Sequence, residues 1–300
     1  MKIVTLMLAR NEAWCIGATV RAALEWSDTL VFLDHNSTDE TRDIIEDIRR
    51  EVGMARIVYG VNDDPGHWAE MIVRQRTLDI ARSCHATHIG IIDADEMVTA
   101  NQVKYIRQYF DTLRPGEQLH LPQVATYHSL DQRRTDEPWP QKWMIGFCDA
   151  PSITWRPAND GYQYHMRPPH GTFASMYPPV EGLREGGLFH FQHASLRRLR
   201  AKAAWYKMDE TLRWPGRMSP DELNRKYDWT LRAGEPSLMP IPDDWWHSTG
   251  RASLKSLIDI EREPWQEREV FAMLDAHGID KFKGVALHGY DEQWRQRSKA

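Results

Sequence analysis

The sequence predicts an α/β fold with a mostly parallel sheet, followed by a helical C-terminal region. Apolar, β-rich runs alternate with amphipathic helical segments through about the first hundred residues, and from Ser195 the pattern becomes helical and basic. Strands that alternate with helices of this length form βαβ units, whose sheet is buried on both faces. The chain has 300 residues, of which 41% are hydrophobic and 27% charged, which suits a globular protein with a large core.

The first strand is predicted in "KIVTLML", and the helix in "EAWCIGATVRAALEW" follows it with Ile16, Val20 and Leu24 at helical spacing. The second strand is "TLVFL". Ser37 and Glu40 then match an S-x-x-E capping box before an apolar helical stripe. These segments predict the first two βα units.

The third strand is predicted in "ARIVYG", a helix from Trp68 to Ala81, and the fourth strand in "HIGII". A helix from Val103 to Leu113 completes this half. Short β-like runs, "QLHLPQVATY" and "KWMIGF", then alternate with Pro-rich loops that are too long and aromatic to be simple connectors. The final helix is predicted between Pro264 and Gly278, which are typical start and stop residues.

Composition excludes several classes of protein. The net charge of -5 argues against binding nucleic acid or anionic membrane by charge alone. Three widely spaced cysteines indicate neither a disulfide framework nor a thiolate zinc site. The apolar start is too short for a signal peptide, and no apolar run is long enough to span a membrane. A cytoplasmic protein without an integral membrane span is therefore expected.

Polar residues follow three of the predicted strands: "ARNE" after the first, "DHNS" after the second and "DADE" after the fourth. In open α/β sheets, ligands bind outside the carboxyl ends of the strands, so these segments are expected at one crevice. A solvated turn is the simple interpretation of Asp93, Asp95 and Glu96, but convergence of three polar strand ends weakens it. Neither G-x-G-x-x-G after the first strand nor a P-loop occurs.

Carboxylates at this position fit a hard divalent cation that binds a diphosphate. Mg²⁺ and Mn²⁺ prefer carboxylate oxygens and keep open positions for substrate phosphates. Asp93 and Asp95, one residue apart, can serve separately, one towards ribose hydroxyls and one towards the metal. Glu96 is expected at the start of a helix or behind the ligands.

The motifs "MLARNE", "LDHNSTDET", "RQRTLDIA" and "IIDADEM", in this order, resemble those of the family-2 glycosyltransferases of GT-A fold. The later segment "GLFHFQHASLRRLRAK" is similar to the family's late His segment followed by a basic helix. The resemblance implies a GT-A catalytic domain over residues 1–194, with a nucleotide-sugar half (1–100) and an acceptor half (101–194). Residues 195–300 would form the helical C-terminal region.

The resemblance also implies a metal-dependent, inverting transferase that moves a sugar from a nucleotide-sugar, expected to be a UDP-sugar, to a hydroxyl acceptor. It assigns Asp95 and His190 to a Mn²⁺ or Mg²⁺ ion. The nucleotide-sugar would contact a larger set: Ala9, Arg10, Glu12, Asp34, Asn36, Arg76, Asp93 and Ala94.

Two positions depart from the family pattern. His35 stands where many members carry a second Asp, and Met166 stands where the family's acid is expected, in "DGYQYHMRPPH". The catalytic base is therefore predicted from the acceptor loops, with Asp160 first, His165 second and Glu181 third. A nucleotidyltransferase of the same fold and a non-catalytic nucleotide- or carbohydrate-binding protein remain alternatives.

The acceptor stays open between a glycan, a lipid-linked or lipopolysaccharide-type sugar, and DNA with a hydroxylated base. The basic segment from Arg197 to Arg217 is either a solvated helix face or a surface for a phosphorylated acceptor. The 13 tryptophans, ten of them from Trp139 onward, either fill core or stack on sugar rings or bases.

Overall fold

The protein is represented by a computed structural model. It describes residues 1–62, 69–136, 142–156, 167–176, 186–231, 234–250 and 252–297.

The first half of the sheet consists of four parallel strands in the order β3-β2-β1-β4. The strands are β1 (Ile3–Ala9), β2 (Thr29–Asp34), β3 (Ile57–Val61) and β4 (His88–Ile91). The helices that connect them are α1 (Ile16–Leu24), α2 (Thr41–Val52) and α3 (Glu70–Ser83). Every residue of β1 and β2 is buried, as expected for strands that are covered on both faces. The predicted α/β class is confirmed.

The sheet continues from β4 in the order β8-β6-β10-β5, and β9 also pairs with β6. The added elements are β5 (Glu96–Val98), α4 (Ala100–Asp111), β6 (Glu117–Ala125), β7 (Gln132–Arg134), β8 (Lys142–Cys148), β9 (Phe173–Met176) and β10 (Leu188–His190). Strand β8 is antiparallel to both β4 and β6, and β10 is antiparallel to β5. Pairing of His190 with Glu96 places the late His segment beside the acidic turn after β4.

The C-terminal region is mainly helical. It contains α5 (Leu196–Arg213), α6 (Pro220–Asp228), β11 (Leu238–Pro240), β12 (Ser248–Thr249), β13 (Ala252–Ser253), α7 (Trp265–His277) and α8 (Tyr290–Arg297). Ser195 caps α5, and α7 lies between Pro264 and Gly278 as predicted. No helix within the described ranges is both long and apolar enough to cross a membrane.

The predicted capping box before α2 is wrong. The helix begins at Thr41, and Ser37 instead accepts a hydrogen bond from the backbone N–H of Asn11 (2.9 Å). Glu40 pairs with Arg262. The reason is tertiary: the loop after β2 is held against the loop after β1, so Ser37 joins two strand ends instead of capping a helix.

Many of the tryptophans fill core. Trp14, Trp245 and Trp246 share a buried cluster with Phe189 and Phe191, which joins the C-terminal region to the sheet. Trp26 packs against Gly90 of β4, where a Cβ atom would lie 2.7 Å from the indole. Core packing therefore explains these indoles, while others line the cleft described below.

Candidate functional site

The carboxyl ends of β1 and β4 face α3, α5, α6 and α7 across a cleft with a volume of about 440 Å³. The strand ends contribute most of the acids of its lining, Glu70 of α3 contributes another, and the helices contribute most of the cations and aromatic rings. This arrangement follows from the parallel sheet, because its strands all end at the same edge.

Asp93 lies between two arginines. Its Oδ1 is 3.1 Å from Arg74 Nη2, and its Oδ2 is 2.8 Å from Arg167 Nη1. Burial opposes ionisation, but the guanidinium charges of Arg167 and Arg74 lower the pKa of Asp93 below its ordinary value. The carboxylate is therefore ionised and held in place, and it is still partly exposed to the cleft.

Asp95 lies between a lysine and a histidine. Lys202 Nζ is 3.3 Å from Oδ2, and His190 Nε2 is 3.7 Å from Oδ1. Burial would raise the pKa of Asp95, but the Lys202 ammonium and then His190 lower it well below its ordinary value. Gln123 contacts the other ring nitrogen of His190, with Nε2 2.6 Å from Nδ1, and so fixes the imidazole.

Glu96 lies behind the two aspartates and supports the turn that carries them. It is fully buried, it forms two contacts with Arg167 (2.7 and 3.1 Å), and it accepts the backbone N–H of Asp93 (2.9 Å). Arg167 also donates to the carbonyl oxygens of Ile91 and Met144. Glu96 and Arg167 thus fix the acidic turn to β4 and β8.

Glu12 and Glu70 are the other acids in the described lining of the cleft, and Glu70 pairs with Arg74 (2.8 Å). Burial and the nearby Asp95 charge raise the pKa of Glu12 to about 7, against the opposing charges of Lys202 and Arg198. Its carboxylate accepts a hydrogen bond from the indole N–H of Trp14 (2.5 Å). The guanidinium carbon of Arg198 lies over the same indole, 3.9 Å from the ring centroid. Glu12 is thus fixed facing Asp95.

The structure brings together most, but not all, of the residues predicted from sequence. The following predicted residues line the cleft: Ala9, Arg10, Glu12, Asp93, Ala94, Asp95 and His190. Asp34, Asn36 and Arg76 are absent from its described lining. The predicted bases Asp160 and His165, and also Glu181, lie outside the described residues.

Asp34 and Asn36 are at the end of β2, where Arg42 joins them. Arg42 Nε is 2.6 Å from Asp34 Oδ2, and its Nη2 is 3.0 Å from Asn36 Oδ1. Arg76 is exposed, whereas Arg74 of the same helix faces the acids. Side chains at positions i and i+2 of a helix point to nearly opposite faces, so only one of Arg74 and Arg76 can face the cleft.

Three cations of the site, Arg74, Arg167 and Lys202, were not predicted. Of these three, only Lys202 belongs to a segment that the sequence marks as basic, the one after the late His. That segment is not simply a solvated face, because Arg198 and Lys207 are buried and Lys202 lines the cleft.

Asp95 and His190 provide a carboxylate oxygen and an imidazole nitrogen that face each other. Both are donor types that Mn²⁺ accepts, and a second residue orients the histidine, as is usual for metal-binding imidazoles. Three or more His, Cys, Asp or Glu side chains placed to enclose an ion do not occur in the described part of the chain. The two residues therefore fit an ion that takes its remaining ligands from a substrate or water.

Comparisons with known proteins give matches only among solved structures: no family model and no curated protein matches. The chain is similar to S. aureus TarS 1–349, with a TM-score of 0.42 and 12% identity, covering 99% of this chain and 92% of that chain. This chain is also similar to a longer S. aureus TarS structure, with a TM-score of 0.32 and 15% identity. That match covers 46% of this chain and only 23% of the longer one.

Two further similar structures were solved with ligands. One is the mannosyltransferase PcManGT from Pyrobaculum calidifontis with GDP-Man and Mn²⁺ (TM-score 0.37, 12% identity, 99% of this chain and 79% of that chain). The other is glucosyl-3-phosphoglycerate synthase from Mycobacterium tuberculosis with Mn²⁺, UDP and phosphoglyceric acid (TM-score 0.25, 20% identity, 42% of this chain and 43% of that chain). At these TM-scores the similarity does not identify the activity of this chain.

Proposed function

We propose that the protein is a glycosyltransferase that moves a sugar from a nucleotide-sugar, expected to be a UDP-sugar, to a hydroxyl acceptor. One observation supports this most strongly. Two ionised aspartates and the cations Arg74 and Lys202 line one cleft at the carboxyl ends of parallel strands. Fixed positive charge beside carboxylates suits a diphosphate together with the ribose and sugar hydroxyls that flank it.

The chemical role of the cations follows from the leaving group. When the bond between the anomeric carbon and the diphosphate breaks, the negative charge of the diphosphate increases. Cations already in place stabilise that charge without reorganisation. Before any substrate binds, Asp95 holds Lys202, and Glu70 (2.8 Å) and Asp93 (3.1 Å) hold Arg74, so the positions of both cations are set in advance.

Asp95 and His190 would hold a Mn²⁺ or Mg²⁺ ion. When bound, the ion would supply Lewis-acid stabilisation of the diphosphate. Asp93, which is held by two arginines instead, would accept hydrogen bonds from ribose or sugar hydroxyls. The nucleoside would extend towards Asp34 and Asn36 at the end of β2, beside the loop held by Ser37 and Asn11.

Inverting transfer requires a base that takes the proton of the acceptor hydroxyl. That group lies opposite the leaving diphosphate, so neither Asp93 nor Asp95 can serve. The bases proposed from sequence stay Asp160 and then His165. Asp160→Asn should lower the transfer rate by about 10²-fold or more while UDP affinity is kept. Retained transfer in that variant, with lost transfer in His165→Ala or Glu181→Gln, would move the assignment to the residue whose replacement abolishes transfer.

The division into a GT-A catalytic domain (1–194) and a helical region (195–300) stays a proposal. It is supported by the start of α5 at Leu196. Among acceptors, a glycan or lipid-linked sugar is preferred to DNA, because the net charge of -5 opposes contact with a polyanion. A nucleotidyltransferase would release diphosphate from a nucleoside triphosphate, and a non-catalytic relative would bind nucleotide without turnover.

Calorimetric titration with UDP tests the proposal directly. Wild-type protein should bind UDP in the presence of Mn²⁺, and EDTA should weaken binding at least about tenfold, since the ion neutralises diphosphate charge. Asp95→Asn should lose the metal effect, and Asp93→Asn should weaken UDP binding with or without metal. Asp111→Asn, at the end of α4, is a matched control. If UDP fails to bind, or if UDP affinity and transfer are both fully kept in EDTA, the metal-dependent proposal is wrong.

A further inference from the structure

Five aromatic side chains from the C-terminal helices form a wall of the same cleft. They are Trp205, Tyr206, Tyr227, Trp229 and Trp265. We refer to them as the aromatic wall. The wall continues the lining of the cleft from the strand-end acids onto the C-terminal helices, and Tyr206 lies near Lys202.

The rings of the wall hold one another in fixed orientations. Tyr206 and Tyr227 stack with 5.2 Å between centroids and 8° between planes. Trp205 meets Trp265 edge to face at 5.1 Å, and Arg10 lies 4.9 Å above the Trp265 ring. A preformed aromatic surface loses little conformational entropy when a ligand binds.

Two polar atoms, one in the wall and one in the neighbouring residue Gln266, have no hydrogen-bond partner among the described residues. The side-chain oxygen of Gln266 and the indole N–H of Trp265 are buried, and neither is hydrogen-bonded to any group among the described residues. Gln266 is 5% exposed and lines the cleft. A buried polar group without a partner is costly, so these two atoms, an acceptor and a donor of residues that both line the cleft, point to a ligand with hydroxyl groups.

We propose that the aromatic wall and Gln266 form the acceptor subsite and bind a hexopyranose ring of an acceptor glycan. A sugar ring has an apolar C–H face that packs on aromatic rings, and hydroxyls at its edge that both donate and accept hydrogen bonds. A hydrocarbon chain would cover the rings but leave Gln266 unpaired. This assignment rests on the proposed function, because it takes the diphosphate to lie at the strand-end acids.

The variants must separate binding from folding. Trp205 and Trp265 belong to the C-terminal hydrophobic core, so their replacement would destabilise the protein. Trp229 is 39% exposed and lies outside the buried clusters. Gln266→Leu removes the unpaired side-chain oxygen without leaving a cavity, so the fold should tolerate it. Trp214→Ala, at the end of α5 and outside both the described lining and this core cluster, is a tryptophan control.

Saturation-transfer NMR with cellobiose, methyl β-galactoside and methyl α-mannoside tests the subsite, with sorbitol as an open-chain control. At least one ring sugar should receive saturation at its ring C–H protons in UDP-saturated protein, and sorbitol should not. Trp229→Ala and Gln266→Leu should each weaken sugar binding about fivefold or more, the scale of one aromatic contact. Trp214→Ala should not weaken sugar binding, and thermal melting checks that every variant is folded.

Three results would overturn the subsite: none of the ring sugars binds, neither variant weakens binding, or uridine displaces the sugar and so marks a nucleoside position. Calorimetry with UDP on the same samples separates this inference from the proposed function. Protein that binds UDP but no sugar contradicts the subsite alone. Protein that binds sugars at the wall but never UDP contradicts the transferase.

Discussion

Replacing Lys202 by methionine removes one cation from the cleft while keeping a long side chain on α5. Lys202 Nζ is 3.3 Å from Asp95 Oδ2, and Glu12 also faces it. The substitution therefore has two effects on a bound diphosphate. It deletes an attractive charge, and it leaves carboxylates at the same place less compensated.

The magnitude follows from the distance. At an effective dielectric of about 20, two unit charges 3.3 Å apart attract by roughly 5 kcal/mol. A phosphate oxygen at similar range would gain a similar gross energy, most of which desolvation offsets. A net contribution of about 1.5–3 kcal/mol is typical of hydrogen bonds to charged groups. We therefore expect UDP affinity to fall roughly 10- to 150-fold.

Calorimetry with UDP, UMP and uridine, with Mn²⁺ present throughout, measures this effect. Affinity for UDP should fall most and affinity for uridine least, because the lost charge acts on phosphate. Lys104→Met, an exposed lysine of α4, is the matched control and should bind all three like the wild type. Equal loss for UDP and uridine would refute the reasoning, and so would no loss at all.

Further predictions concern the arginines of α3, a buried ion pair and a core glycine. Arg74→Ala should weaken UDP binding about tenfold or more by calorimetry, whereas Arg76→Ala, on the exposed face of α3, should leave UDP affinity near wild type. A larger loss in Arg76→Ala than in Arg74→Ala would instead support Arg76 as the nucleotide-binding arginine. Lys207→Met removes the 2.6 Å partner of the buried Asp228, which keeps His288 at 2.9 Å, and should cost about 1.5–3 kcal/mol in urea unfolding; a cost near zero would contradict this. Gly90→Ala places a Cβ 2.3 Å from a threonine hydroxyl of β1 and should lower stability by about 1–3 kcal/mol; an unchanged melting temperature would contradict the close packing.

The parallel half of the fold could be predicted because its signals are local. Each of β1 to β4 is an apolar run of ordinary strand length, and the helices between them show helical periodicity. Strand β5 could not be predicted from the sequence, because it has only three residues and begins with the acidic Glu96. It is stabilised by pairing with β10, which lies far along the chain. A strand of this kind is fixed by its partner and not by its own sequence.

The acids could be located from sequence because they follow strands whose ends meet at one edge, and His190 because its segment resembles the late His segment of the family-2 glycosyltransferases. The cations that compensate those acids could not. Arg74 and Arg76 are distinguished only by the rotation of α3 about its axis, which "RQRTLDIA" does not show. Arg167 and Lys202 are 74 residues from Asp93 and 107 residues from Asp95 in sequence, respectively, and reach them only through the tertiary fold.

The central claim is that this cleft cleaves a nucleotide-sugar. The most direct measurement is the release of UDP from a panel of UDP-sugars incubated with the protein and Mn²⁺, followed by phosphorus NMR. We predict slow UDP release from at least one donor, faster release when the correct glycan acceptor is added, and none with Asp95→Asn. Intact UDP-sugars after prolonged incubation with wild-type protein that binds UDP would contradict the account and leave a nucleotide-binding protein. Release of diphosphate from UTP would instead indicate a nucleotidyltransferase.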